Sequence, residues 1–207
     1  MNSVLDIEGA RRFHGHSCPG LAIGIRAAEV VLQEIGVHAE DEEIVAVVET
    51  DMCAVDAIQY LTGCTFGKGN LIHLDYGKSI FTFIRRSDGA DNVHPKAIRI
   101  ALRPEPWRPP NPEDEALYER VRQGQASEED LRRVQELREE QIQDILERPL
   151  AELFEVQPVE AVVPARARIH DSVTCAGCGE RVMETRARLF RGELYCIPCF
   201  EARERRS

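Results

Sequence analysis

Apolar residues return at three- and four-residue spacing from Leu21 through Ile25, Ala28 and Leu32 to Ile35, which predicts an amphipathic helix. Pro19 suits its first position, where a missing N–H costs little, so Cys18 is the expected N-cap; Gly36 ends the helix. The period then changes. Ile44 to Glu49 is a short β-branched run that reads as a buried strand, and Ala54 to Leu61 reads as a helix stopped by Gly63. Two β-rich runs, Leu71 to Asp75 and Ser79 to Arg86, flank Tyr76-Gly77-Lys78 and predict a hairpin, with a further strand over Ala97 to Leu102. The prolines between Arg103 and Pro112 exclude regular structure and predict a stiff connector.

Beyond the connector the pattern is helical again and strongly acidic. One helix is expected around Glu113 to Gln123 and a longer one from Glu128 to Arg148, capped by Ser127. Leu131, Val134, Ile142 and Ile145 give the longer helix an apolar stripe, and its charges read as a solvated face. Leu153 to Val159 can return as an edge strand, the position in a sheet that tolerates Pro158. Val163 to Arg168 reads as a boundary, so the chain divides into a core domain over 1–162, which includes the acidic helices of 113–148, and a small domain over 163–207. The core domain mixes helices and strands.

Composition narrows the function classes. With 43% apolar and 30% charged residues the chain is an ordinary globular sequence, and no apolar run approaches the roughly 20 residues of a membrane span. The N-terminus lacks the basic and apolar regions of a signal peptide, so a cytoplasmic protein is the expectation. A net charge of −10 argues against nucleic-acid binding by the whole molecule. The acidity is concentrated in 113–160, whereas 161–207 is net basic. Its arginines permit nucleic-acid binding, but docking against acidic surface is the favoured reading because no basic and aromatic reading face is apparent.

Seven cysteines, an odd number, do not suggest a disulfide framework, which leaves metal or thiol chemistry. Cys175-Ala-Gly-Cys178, seventeen residues, then Cys196-Ile-Pro-Cys199 has the spacing of a four-thiolate structural zinc site. A hairpin through Met183 to Leu194 and a helix opened by the last cysteine pair complete the expected finger. The second concentration of chemistry is His14-Gly-His16-Ser-Cys18. In an extended run these three side chains share one face, and Cys18 at a helix N-terminus gains thiolate character. Cys53 precedes a second helix, with Asp56 one turn on and facing the same side. The loop Gly67-Lys68-Gly69 lacks the full phosphate-binding pattern.

Three segments carry a resemblance: Phe13-His-Gly-His-Ser-Cys-Pro-Gly20, Glu49-Thr-Asp-Met-Cys-Ala-Val-Asp-Ala-Ile-Gln59 and Thr62-Gly-Cys-Thr-Phe-Gly-Lys-Gly-Asn70. They resemble the E-subunit family of formylmethanofuran dehydrogenase, and the four-cysteine finger is similar to one that some members append. The resemblance implies an α+β fold, a mixed sheet flanked by helices with a small C-terminal treble-clef zinc finger after it, a homodimer, and a core site of His16, Cys18 and Cys53 holding zinc or iron. His14, Asp56 and Cys64 would be additional ligands or supporting groups, with Cys18, Cys53 and Asp56 the residues of any catalysis. It also implies an accessory role beside a molybdenum or tungsten oxidoreductase. The alternative is a stand-alone zinc-dependent hydrolase or thiol-handling enzyme working at the core site.

Overall fold

The computed structural model describes residues 5–36, 39–86, 96–104 and 111–204. The chain divides into two compact units, residues 1–166 and 167–207. Most of the proline connector lies outside the described residues.

In the first unit, α1 (Ile7–His14) starts where the Asp6 carboxylate accepts from the Gly9 amide at 2.8 Å, and stops at Gly15, whose φ of 91° is left-handed. His14 is thus the last residue of a helix. It is not part of the extended run expected from the alternation of His14, His16 and Cys18. The helix α2 (Pro19–Glu34) begins at Cys18 as expected: Sγ accepts from the Leu21 amide at 3.3 Å, and Pro19 occupies the first turn. It buries a broad face from Leu21 to Val31. Part of that face meets α3 (Ala54–Thr62), closed by Gly63 in the left-handed region. The two helices come so close that a Cβ on Gly24 would stand 2.2 Å from the Ala54 carbonyl oxygen.

Five strands make the sheet: β1 (Ile44–Val48), β2 (Leu71–His73), β3 (Ile80–Arg85), β4 (Lys96–Leu102) and β5 (Phe154–Pro158), in the order β2-β1-β3-β4-β5. β1 runs parallel to β2 and antiparallel to β3; the remaining neighbours are antiparallel. The expected hairpin between β2 and β3 is therefore replaced by a crossing. Chain 74–79 passes the end of β1, with the Leu74 amide bonded to Val48 O and the Lys78 amide to Glu49 O. The turn residues are real, but the strands they join each pair with β1. Edge strand β5 accommodates Pro158 as expected.

Alternation along the strands divides the sheet's faces. Ile44, Ala46, Val48, Phe81, Phe83, Ile98 and Ile100 pack with Val30 and Val31 of α2 into the main core. On the opposite face Val45, Ile84 and Ala97 form a smaller cluster with Val159 and Ala161 of the chain that follows β5. Arg86, nearly buried there, donates to the Glu42 and Pro164 carbonyls.

The acidic segment folds as α4 (Pro112–Arg122) and α5 (Glu128–Glu147), turning at Gly124. Ser127 and Asp130 cap α5 reciprocally. Leu117, Val134 and Leu137 form a local cluster, while Ile142 and Ile145 enter the main core. Leu131 is 52% exposed, so Leu137 takes the place expected for it in the stripe. A short helix, α6 (Leu150–Leu153), leads into β5.

The second unit contains two small hairpins, β6 (Ser172–Thr174) with β7 (Arg181–Met183) and β8 (Arg188–Phe190) with β9 (Glu193–Tyr195), then α7 (Ile197–Glu204). Arg191 and Gly192 both have positive φ at the tip of the second hairpin, as a tight two-residue turn requires. Phe190 meets both Tyr195 and Phe200 edge to face. No helix of the described residues is long and apolar enough to cross a membrane.

Candidate metal centre

Among the described residues, two groups of side chains are placed to hold a metal ion. In the second unit, Cys175, Cys178, Cys196 and Cys199 place their sulfurs within 4.8 Å of one another. A tetrahedron with Zn–S bonds of about 2.3 Å has S···S edges of about 3.8 Å, and Cys178 and Cys196 stand 3.9 Å apart. The donor set therefore fits zinc. The backbone prepares the site for anionic sulfur: the amides of Cys196 and Gly177 donate to Cys175 Sγ at 3.2 and 3.3 Å. The Cys196 amide, foremost, helps hold that thiol down at about 6. Gly177 is required by closeness, since a Cβ there would lie 2.9 Å from Cys199 Sγ.

The second group lies in the first unit. The last residue of α1 is His14, the turn after it supplies His16 and the N-cap of α2 supplies Cys18, while the residue before α3 is Cys53; their donor atoms again lie within 4.8 Å of one another. Packing of α2 on α3 through Gly20 and Gly24 brings the pieces together. A Cβ on Gly20 would meet Cys53 Cβ at 3.1 Å, with the sulfurs of Cys53 and Cys18 just beyond, at 3.8 and 3.9 Å.

His14 is held at both ring nitrogens. Nδ1 lies 2.7 Å from the Asp56 carboxylate, and Nε2 faces Cys18 Sγ at 3.8 Å. For zinc bonds of about 2.05 Å to nitrogen and 2.3 Å to sulfur, a tetrahedral N···S edge is about 3.6 Å. A carboxylate on the far nitrogen is the arrangement that orients a ligating imidazole. The residues present thus fit a transition-metal ion, with His14 as a fourth donor and Asp56 behind it. The His14 and His16 rings lie 4.4 Å apart, and His16 is the exposed member of the set. Burial, followed by the neighbouring Cys18 thiol, pushes the Cys53 thiol up.

Cys64 lies elsewhere. It is fully buried beneath the sheet, donates to the Ile44 carbonyl at 3.4 Å, and burial raises its thiol to about 11. Its place after α3 puts it under β1, where it behaves as a small apolar residue and takes no part in the cluster. The nearby lysine of the glycine loop, Lys68, is likewise occupied, donating to the carbonyls of Ala39 and Glu40.

Sequence patterning missed what lies beside the cluster. A cleft of about 760 Å³ opens between the turn at His16 to Pro19 and the polar face of α5. The signal was the i, i+3, i+4 spacing of Gln135, Arg138 and Glu139, which reads equally well as a solvated face.

The family described as FmdE, molybdenum formylmethanofuran dehydrogenase operon, matches residues 13–155. The prokaryotic DksA/TraR C4-type zinc finger matches residues 170–205. A relative from Archaeoglobus fulgidus, described as a probable S-adenosyl-L-methionine-binding protein, is 36% identical over 203 residues. The match covers 92% of this chain and 51% of the relative, so the chain spans about half the length of that protein. A crystal structure of a tungsten formylmethanofuran dehydrogenase FmdE-like protein from Syntrophus aciditrophicus is similar, with a TM-score of 0.57 and 22% identity. That match covers 97% of this chain and 92% of the other, and shows a shared fold. With the family match extending from the His14–Cys18 turn to β5 and a C4-type finger following it, the chain belongs to the FmdE family and carries a C-terminal DksA/TraR-type zinc finger.

Proposed function

We propose that this protein is a metal-binding accessory protein of a molybdenum or tungsten oxidoreductase, with a zinc or iron ion in the core and a structural zinc in the finger. The observation that carries the metal reading is the convergence of His14, His16, Cys18 and Cys53 within 4.8 Å, with Asp56 bonded to the far nitrogen of His14. Mixed imidazole and thiolate donors suit zinc and iron alike. The accessory role is supported by the operon in the family's description and by the subject of the similar crystal structure.

The donor count favours this role over hydrolysis. A hydrolytic zinc keeps three protein ligands and an open position, whereas four donors converge here. Asp56, the carboxylate paired with the cluster, is engaged with His14 rather than free to take a proton from water. When bound, the ion would be held by His14, His16, Cys18 and Cys53 as a positive centre, and His16 and Cys18 would place it beside the cleft. A homodimer is the expected form in solution.

Metal analysis of the purified chain tests the core assignment. Two metal equivalents per chain are expected, falling to one in Cys53→Ala and to one in Cys178→Ala. A wild-type protein that takes only one, held by the finger, would overturn the core reading. Affinity capture from native extract tests the accessory role, with a molybdenum or tungsten enzyme as the expected partner.

A further inference from the structure

The cleft beside the core cluster has a chemical character of its own. One wall is the turn carrying His16, Ser17 and Cys18; the other is the face of α5, with Ile142 among its lining residues. Two guanidinium groups line it, Arg11 from the last turn of α1 and Arg138 from α5, against a single carboxylate, Glu139. That carboxylate already accepts from the Gln135 amide at 2.9 Å.

Most of the arginines nearby are ion-paired. On the acidic hairpin, Arg120 pairs with Asp130, Arg122 with Glu119, Arg133 with Glu136 and Glu140, and Arg148 with Asp144. The Arg138 side chain, like that of Arg132, has no ion pair or hydrogen bond among the described residues, although α5 is crowded with carboxylates. Among the same residues Arg11 pairs only with Glu8, whose side chain is 72% exposed. An ion pair in that much water is weak, and an arriving anion can displace it. A planar guanidinium pairs with carboxylate or phosphate through two parallel hydrogen bonds, and Gln143 adds an amide donor and acceptor at the same wall.

We propose that this cleft binds a small organic anion, its carboxylate or phosphate met by Arg11 and Arg138 and its other end directed toward His16 and Cys18. The volume exceeds what an inorganic oxyanion needs and suits a metabolite-sized molecule. The proposal rests on the core-metal reading only for what the far end of the ligand meets; the anion contacts are independent of it.

The test uses the full metal-loaded chain and calorimetric titration with two probes, succinate for carboxylate and pyrophosphate for phosphate. Saturable binding of at least one is expected, weakening as salt is raised. Arg138→Ala should reduce it tenfold or more, Arg138→Lys should restore part of it, and Arg11→Ala should also weaken it. Metal content should be unchanged in all three, since neither arginine is among the four donors. The probe that binds more tightly identifies the anionic group. Absence of binding by both probes, or equal binding by wild type and Arg138→Ala, would overturn the proposal. Loss of core metal in the wild type, with anion binding retained, would instead count against the metal reading alone.

Discussion

Cys18 does two things with one sulfur: it caps α2 through the Leu21 amide and faces His14 Nε2 across the cluster. Substitutions separate these roles. Cys18→Ser keeps an acceptor for the amide, so the metal-free protein should melt close to wild type while losing core metal. Cys18→Ala should lose the metal and about 1 kcal/mol of cap besides, measured by thermal denaturation beside metal analysis. Asp56 acts one step further out. Asp56→Asn should lower core metal affinity about 10–100-fold in competition with a chelating dye and leave the finger's zinc in place. These residues were legible as chemistry, because imidazoles and thiols at close spacing have few other uses. Their arrangement was not. Nothing in the local pattern says that His14 closes a helix, since α1 is short and largely polar, or that Cys64, in a glycine-rich loop much like the others, ends beneath β1.

The contact of α2 with α3 sets the distance between the two halves of the cluster. Gly24→Ala would drive a methyl group into the Ala54 backbone, which cannot move aside as a side-chain tip can. A loss of about 1–3 kcal/mol is expected from the overpacking, together with weaker core metal binding because Cys53 immediately precedes α3. The α4–α5 hairpin has a different sensitivity. The Arg120 guanidinium, with the Ser127 amide and hydroxyl, holds the Asp130 carboxyl well below the usual carboxylate range. Its pKa is lowered on folding, so its support is present above its ordinary value near 3.8 and lost as pH falls below it. Asp130→Asn should therefore flatten the acid limb of a helicity titration below about pH 4. Helix ends were readable because Pro19, Gly63 and Ser127 act locally. Strand partners were not, because Tyr76-Gly77-Lys78 announces a reversal without saying which strand lies alongside. Leu131 and Leu137 show the same limit: periodicity offers both, and only the fold of α4 onto α5 chooses between them.

The two units differ in what holds them. Residues 1–166 have a sheet with apolar packing on both faces, whereas 167–207 rest on one aromatic trio and four cysteines. Chelation should accordingly erase the ordered resonances of the finger and leave those of the sheet dispersed, which two-dimensional NMR can follow. The sheet order has a consequence for how the molecule is made. β1 is a run of five apolar residues flanked on both sides by strands that come later in the chain. While the protein emerges from the ribosome, the edge of that strand which β3 will cover stays bare until residue 85 is available, long after α2 and α3 have appeared. Such an unpaired, uncharged strand is what neighbouring nascent chains stick to. Fragments ended between β2 and β3 should therefore precipitate, and cells making this protein would depend on holding chaperones through that interval of synthesis.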